Sequence, residues 1–280
     1  YSGMQNPAGL SSLSSSSFAL SHIQLGGNLS QIGILTSIPN KKASSAWGLS
    51  LNRIQTPAYT ERTEFQPEGT GYKLYSSQTS AGLSYSKQLT EQFQLGITLK
   101  SISESYTTGS QNGTYNAFSA AADVGFLYTT DLKDLRFAVL LRNFGGSSNL
   151  RGSYQASTFN RFPIQSLESN TLPTEFAMAL SFIAYEKNNS SLRLAAQLVH
   201  PNDNAENYRM GAEYLVTKDF AVRMGYRLNE RGQSWPVGGL GWVINMGQYK
   251  MQCDFAIQKT DVMGWKNTIG LVFYSKKAKT

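Results

Sequence analysis

The most constraining feature of the sequence is the regular alternation of NYRMGAEYLVTKDFAVRMGYRL, residues 207–228. Successive side chains of a β-strand point to opposite faces, so one parity of this segment forms an apolar face and the other a mostly polar face. The apolar parity contains Tyr208, Met210, Ala212, Tyr214 and Val216, then, after Thr217–Asp219, Phe220, Val222, Met224, Tyr226 and Leu228. The pattern predicts a β-hairpin whose apolar face meets either a protein core or lipid.

Composition favours lipid as the neighbour of the apolar face. Charged residues make up 15% of the 280 residues, against about a quarter in typical soluble domains. No apolar run reaches the roughly eighteen residues of a transmembrane helix, and no linker-like segment divides the chain. No signal sequence opens the chain, so Tyr1 is not expected to be the translation start. The single cysteine, Cys253, excludes an internal disulfide and lies on an apolar strand face, where packing is expected.

Alternating segments recur along the chain, and we count about fourteen of them. The predicted strands are Phe18–Leu25, Leu29–Ile38, Ser44–Ile54, Gln78–Lys87, Gln92–Ser103, Asn116–Tyr128, Leu135–Phe144, Thr174–Tyr185, Ser191–Val199, Asn207–Val216, Phe220–Leu228, Pro236–Ile244, Tyr249–Gln258 and Lys266–Tyr274. Bacterial single-chain membrane barrels have an even number of antiparallel strands. The count therefore fits an all-β transmembrane barrel.

The connections alternate between short and long from the second strand onward. The short turns are Pro39–Ala43, Gln88–Glu91, Thr129–Asp134, Glu186–Ser190, Thr217–Asp219 and Asn245–Gln248, and the longer segments are Gln55–Ser77, Glu104–Tyr115, Gly145–Pro173, His200–Glu206, Asn229–Trp235 and Lys259–Trp265. Outer-membrane barrels have short periplasmic turns and longer external loops, whereas a soluble immunoglobulin-like sandwich has no reason to sort loops in this way. The alternation favours the barrel and places both termini on the periplasmic side.

Four pieces of the chain resemble a known family. They are NPAGL at Asn6–Leu10, LRFAVLLRNFG at Leu135–Gly145, LPTEFAMALSF at Leu172–Phe182, and LVHPNDNAENYRMGAEYLVTKDFAVRMGYRL at Leu198–Leu228. In order and spacing they resemble the PorV/PorQ family of outer-membrane proteins from the Bacteroidetes, itself similar to FadL-type fatty-acid transporters. HPNDN and LPTEF are more similar to PorV than to PorQ.

The resemblance implies a fourteen-stranded FadL-type barrel whose N-terminal segment folds into the barrel or lies across its periplasmic mouth. We accordingly divide the chain into a hatch or periplasmic segment at 1–17, a transmembrane barrel at 18–275 and a periplasmic tail at 276–280. The hatch motif is Asn6, Pro7, Ala8 and Gly9, which would form a tight turn inside the lumen. Without the resemblance, an ordinary Asn-Pro turn before the first strand is the expectation.

The resemblance also implies a role in type IX protein secretion. A PorV-like protein would act as a non-enzymatic adaptor or shuttle that binds a large translocon barrel, secreted cargo domains, or both. The chain is shorter than typical PorV proteins, which puts cargo recognition by its loops in question. The alternatives are a FadL-like transporter of hydrophobic small molecules, which needs an apolar pocket near the hatch and an exit through the wall, and a structural subunit of a larger membrane complex.

The chain offers few candidates for catalysis or for metal and cofactor binding. His22 and His200 lack recognisable partners for a triad or a metal site, so neither an enzyme nor a cofactor is expected. The family-motif loop is His200, Pro201, Asn202, Asp203 and Asn204. Its oxygen-bearing side chains could suit calcium, but turn formation is the preferred interpretation and no metal is predicted. The expected non-protein partners are outer-membrane lipids, and a lipid, lipopolysaccharide or detergent molecule could occupy the barrel.

Two further sets of residues are candidate sites. The first is a lumen charge network, predicted to fill the pore or fix the hatch rather than to line a porin: Arg209, Glu213, Arg223, Arg227, Lys250 and Asp254. The second set consists of loop aromatics, which either contact a partner or fold the loops onto the rim: Tyr59, Phe65, Tyr72, Tyr75, Tyr154, Phe159 and Phe162. The net charge of +7 comes from scattered basic residues, so no nucleic-acid partner is expected.

Overall fold

A computed structural model describes residues 5–108, 113–151, 153–154, 165–167 and 169–275 of the chain. Across these residues, no helix is long and apolar enough to span a membrane. The helical content consists of short 3-10 turns, Pro7–Ser12, Gly26–Asn28 and Lys41–Ala43. The rest of the regular structure is antiparallel sheet.

Fourteen long strands make up the main sheet. They are β1 (Ser17–Gln24), β2 (Ser30–Asn40), β3 (Ser45–Gln55), β4 (Lys73–Gln88), β5 (Phe93–Thr108), β6 (Gly113–Thr129), β7 (Arg136–Gly145), β8 (Glu175–Lys187), β9 (Ser190–Pro201), β10 (Asn207–Leu215), β11 (Phe220–Leu228), β12 (Val237–Met246), β13 (Tyr249–Lys259) and β14 (Trp265–Ser275). A fifteenth strand, Tyr59–Thr60, adds to β4 outside the barrel wall.

The fourteen strands close into a barrel. Each pairs antiparallel with its neighbour in sequence, and β1 pairs with β14. Because every long strand has a partner on both sides, the wall has no open sheet edge, which is the condition for a sheet to span lipid. The predicted fold class, an all-β antiparallel barrel of about fourteen strands, is confirmed.

The two faces of the wall have opposite character. Outward side chains are apolar and largely exposed, as shown by Leu99 on β5 and Met224 on β11, at 63% and 64%. The hairpin of β10 and β11 follows the predicted parity, with Tyr208, Met210 and Tyr214 exposed on the outer face. Exposed apolar residues around the whole circumference would be a liability in water, and lipid removes that cost.

Loop length sorts to the two ends of the barrel as predicted, except that some connections predicted to be long, such as 109–112, are shorter than the connection 130–135 at the opposite end. We call the end with connections 41–44, 89–92, 130–135, 188–189, 216–219 and 247–248 the short-turn rim, and the opposite end the long-loop rim. The long-loop rim carries connections 25–29, 56–72, 109–112, 146–174, 202–206, 229–236 and 260–264. The largest connection contains two small antiparallel pairs, Ser147–Asn149 with Ser169–Thr171 and Ser153–Tyr154 with Gln165–Ser166.

Strands extend into two of the predicted long segments. Pairing between β5 and β6 continues to Thr108 opposite Gly113, so the predicted loop Glu104–Tyr115 is wrong over most of its length. Likewise β4 begins at Lys73, which takes Tyr75 out of the predicted loop and into the strand. The flanking residues are rich in Thr and Tyr, which favour strands whether or not the segment lies in lipid.

Candidate functional site

The N-terminal segment enters the barrel at the short-turn rim and packs against β3, β4, β5 and β6. Asn6 caps the 3-10 helix Pro7–Ser12 by accepting a hydrogen bond from the Ala8 amide at 3.0 Å. Proline at the first helical position and asparagine before it are favourable at a helix start. Leu10 is fully buried. The structure thus brings Asn6, Pro7, Ala8 and Gly9 together in one turn inside the barrel, whereas residues 1–4 lie outside the described part.

Two glycines on the wall provide the space for this helix. A Cβ atom at Gly96 on β5 would lie 2.3 Å from the Ala8 nitrogen, and one at Gly125 on β6 would lie 2.0 Å from Asn6 Oδ1. The two glycines are directly opposite each other in the strand register. At Gly96 the obstructing atoms belong to the backbone of Pro7 and Ala8, so only glycine is compatible with the observed position of the helix, whereas at Gly125 an added Cβ would displace the Asn6 side chain that caps the helix.

Hydrogen bonds from four strands hold the segment in place. Ser86 Oγ donates to the Ala8 carbonyl oxygen at 2.8 Å, and Asn6 Nδ2 donates to the Phe126 carbonyl oxygen at 3.2 Å. Arg142 Nη2 on β7 donates to the Gln5 carbonyl oxygen at 2.8 Å. A fourth bond runs from Ser12 Oγ to Gln94 Oε1 at 2.8 Å. The segment is therefore bonded to the wall on several sides.

Above this segment the lumen contains a cavity of about 1020 Å³. One side of the lining is polar, with Asn52, Ser80 and Thr98 among its residues, while Ile23 and Val237 contribute apolar surface. Gln5 also lines the cavity, so the N-terminal segment forms part of its boundary. Five charged residues also line the cavity: Lys100, Asp123, Arg142, Arg223 and Asp254. The mixture of charged, polar and aliphatic groups could accommodate a molecule with both a polar and an apolar part.

The cavity reaches outward-facing residues where β11, β12 and β13 meet. Met224, Gly238 and Phe255 belong to the lipid-facing parity, yet they line the cavity together with the inward glycines Gly225 and Gly239. The paired region between β11 and β12 extends only from Phe220 opposite Trp242 to Gly225 opposite Val237. It is the shortest paired region between neighbouring strands of the barrel. We call this place the glycine seam. The wall is thin there because glycines have no side chains.

One part of the predicted charge network lies beside the glycine seam. Arg223 Nε donates to Glu213 Oε2 at 2.6 Å, and Arg223 Nη1 bonds to Asp254 Oδ1. The second contact crosses β12 at Gly241, where a Cβ would lie 2.7 Å from both Arg223 Nη1 and Asp254 Oδ1. The missing side chain of Gly241 thus allows residues on β11 and β13 to meet.

The remaining predicted charges do not join this group. Arg227 Nη1 contacts Glu230 Oε1 at 2.8 Å, and Arg209 Nη2 lies 3.7 Å from Glu230 Oε2 near the long-loop rim. Lys250 lies near the short-turn rim, and among the described residues it has no ion pair. The charged residues that were predicted to form one network thus form two separate groups, and Lys250 belongs to neither of them.

Sequence reasoning missed a further ion pair in the first half of the barrel. Lys100 Nζ on β5 lies 2.6 Å from Asp123 Oδ1 on β6, and both side chains are nearly buried. The Lys100 ammonium also donates to Asn143 Oδ1, and the backbone N–H of Asn143 donates to Asp123 Oδ1 at 2.8 Å. The signal was available, since Lys100 and Asp123 are the charges at the inward parity of two neighbouring predicted strands.

The family-motif loop packs against the LPTEF segment. The backbone N–H of Asn202 donates to the Thr174 carbonyl oxygen at 2.9 Å, and Asn202 Nδ2 donates to the Leu172 carbonyl oxygen at 3.2 Å. His200 Nδ1 pairs with Glu206 Oε1 at 2.9 Å in an exposed position. Within the described residues, no three His, Cys, Asp or Glu side chains cluster as a metal site. Asp203 and Asn204 line a cavity beside this loop.

The predicted loop aromatics are exposed where the structure describes them. Phe65 is the most exposed, at 93%, and Tyr59, Tyr72 and Tyr75 are also on the surface. The Tyr59 hydroxyl donates to the Gly27 carbonyl oxygen at 3.2 Å, which ties its loop to the connection 25–29. Only the backbone of Tyr154 is described, and Phe159 and Phe162 lie outside the described residues.

Comparison with solved structures gives matches over nearly the whole chain. The barrel is similar to the Ralstonia pickettii toluene transporter TbuX, with a TM-score of 0.62 at 11% identity, covering 98% of this chain and 92% of that one. It is also similar to the Pseudomonas putida toluene transporter TodX, with a TM-score of 0.60 at 11% identity over 98% and 93%. A Pseudomonas aeruginosa FadL homologue gives 0.54 at 11% identity over 98% and 92%. No protein-family model matches the sequence, and no curated protein matches it.

The chain therefore has the fold of FadL-type outer-membrane barrels. At these identities the similarity extends to the architecture of the wall and not to particular side chains. Of these three proteins, TbuX and TodX are named as toluene transporters.

Proposed function

We propose that the protein is a non-enzymatic transporter of small hydrophobic or amphipathic molecules in a bacterial outer membrane, with its short-turn rim and both termini in the periplasm. The single observation that carries the proposal is the lumen cavity and its boundaries. The N-terminal segment occupies the short-turn end, while the cavity reaches outward-facing residues at the glycine seam. A solute in such a cavity has a short path to lipid. The FadL-type fold supports the same conclusion.

The lining of the cavity supports an amphipathic solute more than a purely apolar one. Ser80 and Thr98 offer hydroxyl groups on one side, whereas Val237 and Ile23 offer aliphatic surface on the other. The Thr98 hydroxyl is already hydrogen-bonded to Ser84 at 2.8 Å, but a purely apolar solute would displace water from the other polar groups that face the cavity, at a cost of about 1–3 kcal/mol for each group left without a partner. A solute with one polar end avoids that cost.

Uptake measurements with a cavity-filling variant test the proposal. The chain would be expressed in a bacterial host that lacks a transporter of this class, and uptake of radiolabelled toluene and of a labelled medium-chain alcohol would be measured. Ser80→Trp should reduce uptake because the indole projects into the cavity and narrows it, and Thr79→Trp on the lipid-facing side of the same strand should not. Uptake equal to that of cells without the protein, or equal uptake by both variants, would refute transport.

A second candidate function is the PorV-like adaptor role in type IX secretion. The observation that favours it is the exposure of Phe65 on the long-loop rim, with Tyr59 and Tyr72 in the same connection. Aromatic side chains exposed on loops of a rigid scaffold are common anchors of protein interfaces. Purification in mild detergent from its own cells should then recover a large barrel protein or secreted cargo, and Phe65→Ser should release it. Recovery of the chain alone would exclude the adaptor role.

A further inference from the structure

Three uncharged polar side chains line the lumen cavity and have no partner of their own. Gln31 on β2, Asn52 on β3 and Ser80 on β4 border the cavity and are partly exposed to it. Within the described residues, none of the three side chains forms a hydrogen bond with another group of the protein. Each amide can both donate and accept, and so can the hydroxyl. These groups are therefore available to a ligand.

The strand register brings these three side chains close together. Asn52 is directly opposite Ser80 in the pairing of β3 with β4, and both have the inward parity. Gln31 is two residues before Gly33, the residue directly opposite Asn52 on β2. Directly opposed residues have Cβ atoms about 4.5–5.5 Å apart, and diagonal neighbours lie about 7–8 Å apart. One polar group of a ligand can therefore contact two of these three residues, which we call the polar triplet.

In the first half of the barrel, the cations that line the cavity are already engaged. Lys100 Nζ lies 2.6 Å from Asp123 Oδ1. Arg142 Nη1 lies 3.6 Å from Glu175 Oε1, and Arg142 Nη2 donates to the Gln5 carbonyl oxygen at 2.8 Å. An anionic solute would have to displace a carboxylate or the N-terminal segment to reach either cation.

In the second half of the barrel, charged residues of the wall alternate in sign. Arg223 forms ion pairs with both Glu213 and Asp254. Glu213 is in turn directly opposite Arg193 in the register of β9 with β10. A cationic solute therefore finds carboxylates that already face arginines. A charged head of either sign loses its hydration in the cavity without meeting an unpaired opposite charge, which makes its entry costly.

The apolar part of the lining lies elsewhere on the wall. Val237 on β12 and Phe255 on β13 line the cavity at the glycine seam, away from β2–β4. A ligand that extends from the polar triplet toward the seam would thus place one polar group and one apolar body in matching surroundings.

We propose that the polar triplet binds the head group of the solute that occupies the cavity, and that this head is an uncharged hydroxyl or carbonyl group. The inference rests on the proposed transport function, since it assigns the class of solute carried by the same cavity. Two amides and a hydroxyl match such a head in both donors and acceptors. The paired charges around them select against carboxylates and amines, so alcohols, phenols and ketones are the expected class.

Equilibrium dialysis of the purified protein in lipid nanodiscs tests this assignment, with empty nanodiscs as the blank. The probes are radiolabelled compounds with the same ring, namely benzyl alcohol, toluene, benzoate and benzylamine, at neutral pH. We expect benzyl alcohol to bind saturably and about tenfold or more tighter than benzoate or benzylamine, because each charged head loses hydration without gaining a counter-charge. Gln31→Leu and Asn52→Leu should each weaken benzyl alcohol binding by roughly 3- to 10-fold, the value of one hydrogen bond, and leave toluene binding unchanged.

The matched control is Gln55→Leu, which removes a glutamine from the lipid-facing side of β3 and should not change binding. Asp123→Asn should strengthen benzoate binding by about tenfold, because it leaves Lys100 without its carboxylate. All variants would be checked for a heat-dependent shift on a denaturing gel, so that loss of the barrel is not mistaken for loss of the site.

The assignment is overturned if benzyl alcohol shows no saturable binding, if benzoate or benzylamine binds as tightly, or if Gln31→Leu and Gln55→Leu have equal effects. Cellular uptake gives a separate answer on transport. Selective binding of benzyl alcohol without any uptake would refute transport and keep the polar triplet as a binding site. Uptake of toluene, with benzoate bound as tightly as benzyl alcohol, would refute the head-group assignment alone.

Discussion

Replacing Gly96 by alanine should release the N-terminal segment from the short-turn end of the barrel. The added Cβ would lie 2.3 Å from both the Ala8 nitrogen and the Pro7 carbonyl carbon. Both contacts are with backbone, so rotation of a side chain cannot relieve them. An ordinary non-bonded contact needs about 3.5 Å. The 3-10 helix therefore has to move by about 1 Å or leave the wall.

The cost of that movement can be estimated from the contacts it breaks. A shift of about 1 Å breaks the 2.8 Å bond from Ser86 Oγ to the Ala8 carbonyl oxygen and the 3.2 Å bond from Asn6 to Phe126, at about 1 kcal/mol each. It also exposes part of Leu10, whose full burial contributes about 1.5–3 kcal/mol. With about half of that burial lost, the sum of about 2.75–3.5 kcal/mol changes the ratio of bound to released segment by roughly 100- to 400-fold.

Limited proteolysis measures this change directly, because cleavage of a transiently released segment follows its equilibrium population. Gly96→Ala should be cut near Leu10 at least about a hundred times faster than the unmodified protein, while the barrel keeps its heat-dependent gel shift. Gly238→Ala is the matched control, since a Cβ there has no neighbour within 4 Å. Equal cleavage rates for Gly96→Ala and the unmodified protein would show that the helix is not held against β5.

Three further predictions concern the wall and its rims. Lys100→Met should lower barrel stability by about 3–5 kcal/mol in urea titrations because it leaves the nearly buried Asp123 carboxylate unpaired, and adding Asp123→Asn should restore most of the loss. Gly241→Val should separate Arg223 from Asp254 and reduce stability by about 1–3 kcal/mol, whereas Gly238→Val should not. Burial alone would raise the pKa of Asp134 at the short-turn rim, but hydrogen bonds from Arg193 and Arg136 outweigh it and hold the pKa below its ordinary value of 3.8. The ionised Asp134 carboxylate thus stabilises the short-turn rim above pH 3.8, and this stabilisation is lost as the pH falls through the lowered pKa. Amide exchange in residues 130–135 should therefore accelerate below about pH 4 in the unmodified protein. The variant Asp134→Asn should show no such acceleration at acid pH.

The strands of this barrel could be predicted because lipid and lumen impose a strict two-residue period on every crossing. The same rule fails where the chain leaves the membrane. Residues 104–115 were predicted as a loop, but one strand continues to Thr108 and the next begins at Gly113, since pairing depends on backbone partners and on residues such as Tyr106 and Tyr115. Alternation of apolar and polar side chains is no guide once both faces meet water.

The lumen was only partly predictable because parity tells which side chains point inward but not which of them meet. The contact of Arg223 with Asp254 crosses an intervening strand and depends on the absence of a side chain at Gly241. Lys250 has the inward parity and was therefore expected to join Arg223 and Asp254, but among the described contacts it does not. Contacts across a barrel depend on its curvature and on the sizes of residues between the partners, which a linear pattern does not contain.

The sequence of environments along the lumen limits the route that a solute can take. Near the long-loop rim Arg209 and Arg227 lie beside Glu230, and at the short-turn rim the bonded N-terminal segment occupies the mouth. Moving an apolar group past the Glu213–Arg223–Asp254 ion pairs toward that mouth would strip water from charged groups without replacing it, at several kcal/mol. At the glycine seam the same group passes mainly backbone and the side chains of Val237 and Met224 before it meets lipid. If the protein transports amphipathic solutes, exit through the wall therefore has the lower barrier, and a bulky inward residue at Val237 should block transport even while the N-terminal segment remains in place.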